Sequence, residues 1–240
     1  MRLKLAKLAA LTLCACVSTG AWAQSQDVSE EDVSETSAFE ISANVAVVSD
    51  YRFRGISLSD RDPAVQGGID ISHESGLFVG TWASSIADYG GSNVELDIYG
   101  GYAGSAGGLD YTVTALAYVY PGGDGVDYYE FSAAVDKSLG PATVGIMAAY
   151  VPDQTNFPGD NLYLQGSAGY AISGTPISFN LRAGREANAF SKKWDWEAGV
   201  AYSRGPITAS LAYVDSDFGG PFEAGRLGQA GVVASLAASF

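Results

Sequence analysis

The 240-residue sequence predicts an all-β chain: a single antiparallel, up-and-down transmembrane β-barrel of about twelve strands. Three observations carry that expectation. Apolar residues recur at every second position in about twelve segments of about ten residues, the length a tilted strand needs to cross a hydrocarbon layer. Short Gly- and Pro-containing turns alternate with longer polar connections. After the first residues there is no run of about 18 consecutive apolar residues, although 47% of the chain is hydrophobic, so a transmembrane helix is excluded.

In chain order, the first element is a targeting segment. Arg2, Lys4 and Lys7 precede an apolar run over 8–17, and Ala21-Trp22-Ala23 places small residues where a signal peptidase reads. Residues 1–23 are expected to be a cleaved signal peptide. A lipoprotein box with Cys16 lipidated is the weaker alternative, because Cys14 is an unusual residue at its place in such a box. Both cysteines lie in this segment, so the mature chain has no thiol for a disulfide, a zinc site or a nucleophile. Removing the three cations leaves ten against 27 acids, a formal charge of −17. Such a surface argues against a nucleic-acid partner. Residues 24–40 are polar and acidic, with Asp27, Glu30, Glu31, Asp32 and Glu35, and are expected to form a flexible periplasmic leader.

Residues 41–240 are expected to form the barrel. Val45, Val47, Tyr51 and Phe53 share one face of the first strand, and Asn44, Asp50, Arg52 and Arg54 share the other. Val65, Ile69 and Ile71 then oppose Gln66 and Asp70, and Val94, Leu96 and Ile98 oppose Glu95 and Asp97. The same alternation sets Tyr111 and Val113 against Thr112, Phe131 against Glu130, and Leu162 and Leu164 against Tyr163 and Gln165. Further on, Phe179 and Leu181 oppose Asn180 and Arg182, Trp194 and Trp196 oppose Asp195 and Glu197, and Leu211 and Tyr213 oppose Ser210. Val232, Leu236 and Phe240 oppose Ser235 and Ser239, while 77–85 and 142–150 alternate less cleanly.

The connections give the barrel a direction. Glu74-Ser75-Gly76, Ser105-Ala106-Gly107-Gly108, Ser138-Leu139-Gly140-Pro141, Ser173-Gly174-Thr175-Pro176 and Ser203-Arg204-Gly205-Pro206 are tight. Longer polar loops are expected at 57–62, 87–93, 121–127, 152–161, 186–193 and 215–228. Short turns on the periplasmic side and long loops outside are the asymmetry of an outer-membrane barrel. Aromatic residues cluster near both strand ends, as expected of two interfacial girdles. A soluble β-sandwich or β-barrel could alternate similarly, but its strands are usually shorter and its turns show no such asymmetry. Phe240 ends a period-two strand and resembles the signal that barrel-assembly machinery reads.

Ser49-Asp50-Tyr51-Arg52-Phe53-Arg54-Gly55-Ile56-Ser57 is followed by Pro63-Ala64-Val65-Gln66-Gly67-Gly68-Ile69-Asp70 and by Ser75-Gly76-Leu77-Phe78-Val79-Gly80-Thr81-Trp82-Ala83-Ser84. Glu95-Leu96-Asp97-Ile98-Tyr99-Gly100-Gly101-Tyr102, Tyr118-Val119-Tyr120-Pro121 and Tyr128-Tyr129-Glu130-Phe131 complete the set. Over roughly the first half of the mature chain this pattern resembles the TorF-type porins, a conserved-hypothetical group of bacterial outer-membrane β-barrels. The resemblance implies an outer-membrane barrel and a pore, with no stated cargo.

If the apolar faces meet lipid, the opposite faces line the interior. The pore-lining candidates are Asp50, Arg52, Arg54, Asp70, Glu95, Asp97, Glu130, Arg182, Asp195 and Glu197, seven acids and three arginines. In a confined space these charges either pair into a structural network or form a constriction whose excess of acid favours small cations or zwitterions. Twelve strands spaced about 4.8 Å apart and tilted about 40° give a backbone radius of about 12 Å, and side chains leave room for ions and small solutes only. The expected function is a porin-like channel in the outer membrane of a Gram-negative bacterium. Its expected partners are outer-membrane lipid and lipopolysaccharide, the assembly machinery that reads Phe240, and its solutes. No cofactor, metal or catalytic residue is expected. Phe78 and Trp82 point either inward, as a stacking surface, or to lipid. One alternative is a structural or adhesive barrel with a plugged lumen. Another is a membrane-embedded hydrolase using His73 and Ser75, which lie two residues apart but lack an evident orienting acid. Asp153, Asp160, Asp215, Asp217 and Glu223 match no calcium-loop spacing.

Overall fold

The computed structural model describes residues 38–188 and 192–240. The expected signal segment and most of the expected leader lie outside the described residues. The strands are β1 (Phe39–Val48), β2 (Arg52–Phe53), β3 (Ile56–Ser57), β4 (Ala64–His73), β5 (Leu77–Tyr89), β6 (Ser92–Ala106) and β7 (Leu109–Val119). They continue as β8 (Tyr128–Leu139), β9 (Ala142–Val151), β10 (Asn161–Ala171), β11 (Ile177–Asn188), β12 (Lys192–Arg204), β13 (Ile207–Ser216) and β14 (Gly231–Ser239). β1 and β4–β14 close into one antiparallel barrel of twelve strands, each paired with its neighbours in sequence, and β14 returns to β1. β2 and β3 form a separate hairpin.

The alternation sorts the side chains as the sequence implies. Ile41, Val45, Val47, Ile69, Val79, Ile98, Ile146, Leu181, Leu211 and Leu236 point outward and stay exposed. Glu95, Asp97, Glu130, Asp195 and Glu197 are buried on the inner face. This arrangement inverts a water-soluble barrel, whose apolar residues fill the centre, and a continuous apolar belt of this size needs a nonaqueous surrounding. Trp194, Trp196, Tyr129, Tyr150 and Tyr213 rim the belt at the long-loop end, and Tyr102, Tyr170, Tyr202 and Phe240 rim it at the short-turn end.

The five short turns form where expected. Three other expectations are corrected. β1 begins at Phe39, inside the stretch read as leader. The loop expected at 87–93 is a tight turn, because Gly90 and Gly91 both adopt positive φ (62° and 98°) and let β5 and β6 run on to Tyr89 and from Ser92. The first strand does not continue to Phe53. Val48 is the last residue of β1, where it pairs with Ala64 of β4. The chain then turns into the barrel as the β2–β3 hairpin, reversing at Arg54 and Gly55, both at positive φ (47° and 84°). Tyr51 and Phe53, expected on the outer face, are therefore inside: Tyr51 is 1% exposed and Phe53 packs on the interior aromatic cluster.

The ring is not uniform. The closing ladder between β1 and β14 has five residue pairs, from Asn44↔Ser239 to Val48↔Ser235, whereas the other ladders have seven to eleven. Backbone bonds between Ala43 and Phe240 and between Ser49 and Ala234 extend it at either end.

Candidate functional site: an occluded, charged lumen

Two chemistries share the interior. On β5, β6 and β7 the inner face carries Trp82, Tyr99, Leu116 and Tyr118, which form one buried cluster with Tyr51 of the first loop, and β6 adds the buried acids Glu95 and Asp97. Trp82 and Phe78 thus take the inward option, and Trp82 meets Tyr51 edge-on with ring centroids 5.5 Å apart. On β8, β11 and β12 the inner face is ionic. Arg182 on β11 pairs with Glu197 on β12 at 3.0 Å, and Asn180 donates to Glu197 at 2.9 Å. Asp195 accepts from the Tyr163 hydroxyl at 3.0 Å.

The hairpin lies across the lumen and reaches both sides. Toward the aromatic side, the Tyr51 hydroxyl donates to Glu95 at 2.6 Å, and Tyr120 donates to the other carboxylate oxygen at 3.0 Å. Phe53 packs edge-on against Tyr118. Toward the ionic side, the Arg54 guanidinium bonds Glu130 of β8 at 2.6 Å and Glu186 of β11 at 3.0 Å. It lies 4.2 Å from the Tyr163 ring centroid and 4.6 Å from that of Phe53. At the tip, a Cβ on Gly55 would sit 2.9 Å from the Cβ atoms of both Asp195 and Ser216, so only glycine lets the turn seat against β12 and β13. Arg52 closes the near side, bonding Asp50 at 2.7 Å and the carbonyl of Gln229 at 2.7 Å. Asp50 in turn accepts from Ser57 at 2.6 Å, and Leu58 passes the contact to the wall by accepting the Ala87 N–H.

Burial alone would favour a neutral Arg54. The Glu130 and Glu186 carboxylates outweigh it and hold the guanidinium charged, above its ordinary range. Beside the hairpin remains a cavity of about 40 Å³ bounded by Phe53, Arg54, Tyr99, Glu130, Tyr163 and Arg182, room for about a water or two. Toward the short turns the inner face keeps partial contact with solvent at Asn44, Asp70, Asp136, Ser167 and Asn180. Inner-face residues are thus partly exposed toward the short-turn end and buried near the long-loop end, where the first loop fills the lumen.

All ten charged residues singled out from the sequence face the interior, but not from one surface. Asp70, Glu95, Asp97, Glu130, Arg182, Asp195 and Glu197 stand on the wall. Asp50, Arg52 and Arg54 belong to the inward loop and not to the first strand. Glu186, Lys193 and Tyr163 join them in the interior, outside the ten candidates. Lys193 bonds Glu186 at 2.5 Å; both fall within the loop expected at 186–193 but stand on β11 and β12, where Glu186 keeps the parity of Arg182 and Lys193 that of Asp195. His73 Nδ1 meets the Ser75 hydroxyl at 2.8 Å within its own turn, and its ring lies 4.8 Å from that of Phe39. Among the described residues no group of three or more His, Asp or Glu is placed to hold a metal ion.

A family model described as a bacterial protein of unknown function (Gcw_chp) matches residues 32–240. The chain belongs to the Gcw_chp family. No curated protein matches it. Among solved structures, this Gcw_chp barrel is similar to the NanC porin at 12% identity and a TM-score of 0.56, covering 84% of this chain and 99% of that one. It is similar to the KdgM porin at 7% identity and a TM-score of 0.55, covering 83% and 98%. The COG4313 outer membrane channel from Pseudomonas putida F1 aligns at 10% identity and a TM-score of 0.50, covering 89% and 99%. At these identities the likeness concerns the fold, which this Gcw_chp chain shares with outer-membrane porins and channels.

Proposed function

We propose that this Gcw_chp chain is an outer-membrane, porin-like channel that passes ions or small solutes through a narrow, charged lumen. The observation that carries the reading is the closed twelve-stranded barrel with an apolar outer belt around a buried charged interior. Its likeness in fold to porins and its resemblance to the TorF-type porins support the same assignment. The short turns face the periplasm and the long loops face outside, so the first loop closes the passage from the outer end. Lipid and lipopolysaccharide surround the belt, and the assembly machinery acts on the strand ending at Phe240. The acids that exceed the arginines along the wall favour cations. No catalytic step is part of this reading.

Planar-bilayer recording of refolded protein is expected to give rare, small openings, more permeable to potassium than to chloride. Silence across a range of salts, in both the native chain and a chain lacking the hairpin, would sink the channel in favour of a plugged structural barrel. The membrane placement has its own test. Ile98, 53% exposed on β6, is expected to lie within the hydrocarbon. Ile98→Arg is then expected to cost about 2–4 kcal/mol in urea-titrated folding into vesicles. A cost under about 0.5 kcal/mol, typical of an ordinary surface position, would contradict the belt's contact with lipid.

A further inference from the structure

Arg54 is held in a manner that describes its seat better than its loop. Every group that grips the guanidinium, Phe53 excepted, belongs to the barrel wall: Glu130 on β8, Tyr163 on β10 and Glu186 on β11. The two carboxylates meet different terminal nitrogens, Nη2 and Nη1, while the Tyr163 ring covers the face of the cation. This is the recognition pattern of a planar, delocalised cation: separate acceptors at its edge and an aromatic ring against its plane.

The wall also holds this arrangement without help from the loop. Gly184 makes room for the Tyr163 ring, since a Cβ there would overlap the ring and its hydroxyl. Tyr163 is oriented by its bond to Asp195, and Glu186 by Lys193 and by the Asn161 amide at 2.8 Å. With Arg54 withdrawn, Glu130 loses its cation and Glu186 keeps Lys193, while Arg182, which lines the adjoining cavity, stays paired with Glu197; this leaves a net negative site against an aromatic ring. A hard metal ion is a poorer match than an organic cation, because it needs six or more oxygen ligands and draws no benefit from the face of a ring.

We propose that Glu130, Glu186 and Tyr163 form a binding site for solutes carrying a guanidinium group, and that Arg54 occupies it as an internal mimic while the loop is seated. The proposal rests on the channel reading and names the solute class for which that passage is selective. A guanidinium-bearing solute competes with Arg54 for the same cradle, so the ligand that the lumen recognises also favours the withdrawn loop.

Binding can be measured with no current flowing. Folded Arg54→Ala barrel in detergent, checked by heat-modifiable gel mobility, is titrated calorimetrically with methylguanidinium, and its melting temperature is recorded with and without the ligand. Arg54→Gln serves if the alanine variant does not fold. Expected is one-to-one binding at least about tenfold tighter than in the native chain, together with a raised melting temperature that sodium chloride at equal ionic strength does not reproduce. Adding Glu130→Gln and Glu186→Gln is expected to abolish both effects. Absence of binding in the folded Arg54 variants, which would follow if Lys193 moved into the seat, overturns the proposal. Equal binding by the native chain, or binding that survives loss of both carboxylates, also overturns it. None of these outcomes bears on whether the barrel conducts. Binding by a barrel that is silent even without its hairpin would instead remove the channel and keep the site.

Discussion

Replacing residues 49–63 with an Asn-Gly turn will open the barrel. Val48 and Ala64 are already paired in the wall, so a two-residue type I′ turn can join β1 to β4 without altering their ladder. The replacement removes Tyr51, Arg52, Phe53, Arg54 and Gly55, the side chains and turn that span the lumen between the aromatic and ionic walls. What is left is a ring of about 12 Å backbone radius lined mainly by wall residues, and its single-channel conductance is expected to exceed that of the native chain by about tenfold or more. Unchanged conductance in a folded variant would mean that something other than the first loop limits the passage.

The second large effect concerns stability. Arg54 and Glu130 are almost wholly buried, with side chains 7% and 6% exposed, so solvent screens their attraction little. Arg54→Ala removes the ion-pair partner of the buried Glu130 and leaves Glu186 with Lys193 alone, and is expected to cost about 3–5 kcal/mol in urea unfolding followed by tryptophan fluorescence. Glu130→Gln should cost less, because Glu186 still accepts from the other terminal nitrogen. The double variant is expected to fall short of the sum of the two by more than about 1 kcal/mol, as for residues in one network. Additivity within about 0.5 kcal/mol would mean that the two side chains are energetically independent.

The wall of this barrel could be read from the chain because a strand repeats every second residue, and each of the twelve expected segments corresponds to one barrel strand. The loop could not. Asp50, Arg52 and Arg54 keep the same parity whether the chain continues along the wall or folds back into the lumen, and alternation carries no information about which happens. Gly55 was the local sign of a reversal, but Arg54 shares its positive φ, which a sequence does not declare. Elsewhere the sign was present and outweighed. Gly90-Gly91 is a hairpin dipeptide, yet its polar neighbours Asp88, Ser92 and Asn93 made it look like the middle of a loop. Glu186 and Lys193 are obscured for the same reason: polar residues near a strand end look like part of the connection although their parity matches the inner face. Which charge meets which partner depends on barrel closure, which brings β8 and β11 to the same guanidinium.

The short seam between β1 and β14 gives the first loop a role in assembly. In kinetic terms, closing the ring joins Asn44 to Ser239, the most costly loop closure in the molecule, and gains only five residue pairs in return. The loop adds fastenings on the far side of that seam: Arg52 binds the carbonyl of Gln229, and Arg61 binds those of Arg226 and Ala230, just ahead of β14. Those bonds form only once the last strand has arrived, and Arg54 can seat only when β8, β10 and β11 already stand around it. The segment that blocks the passage is thus also a latch, one that engages when the cylinder is complete.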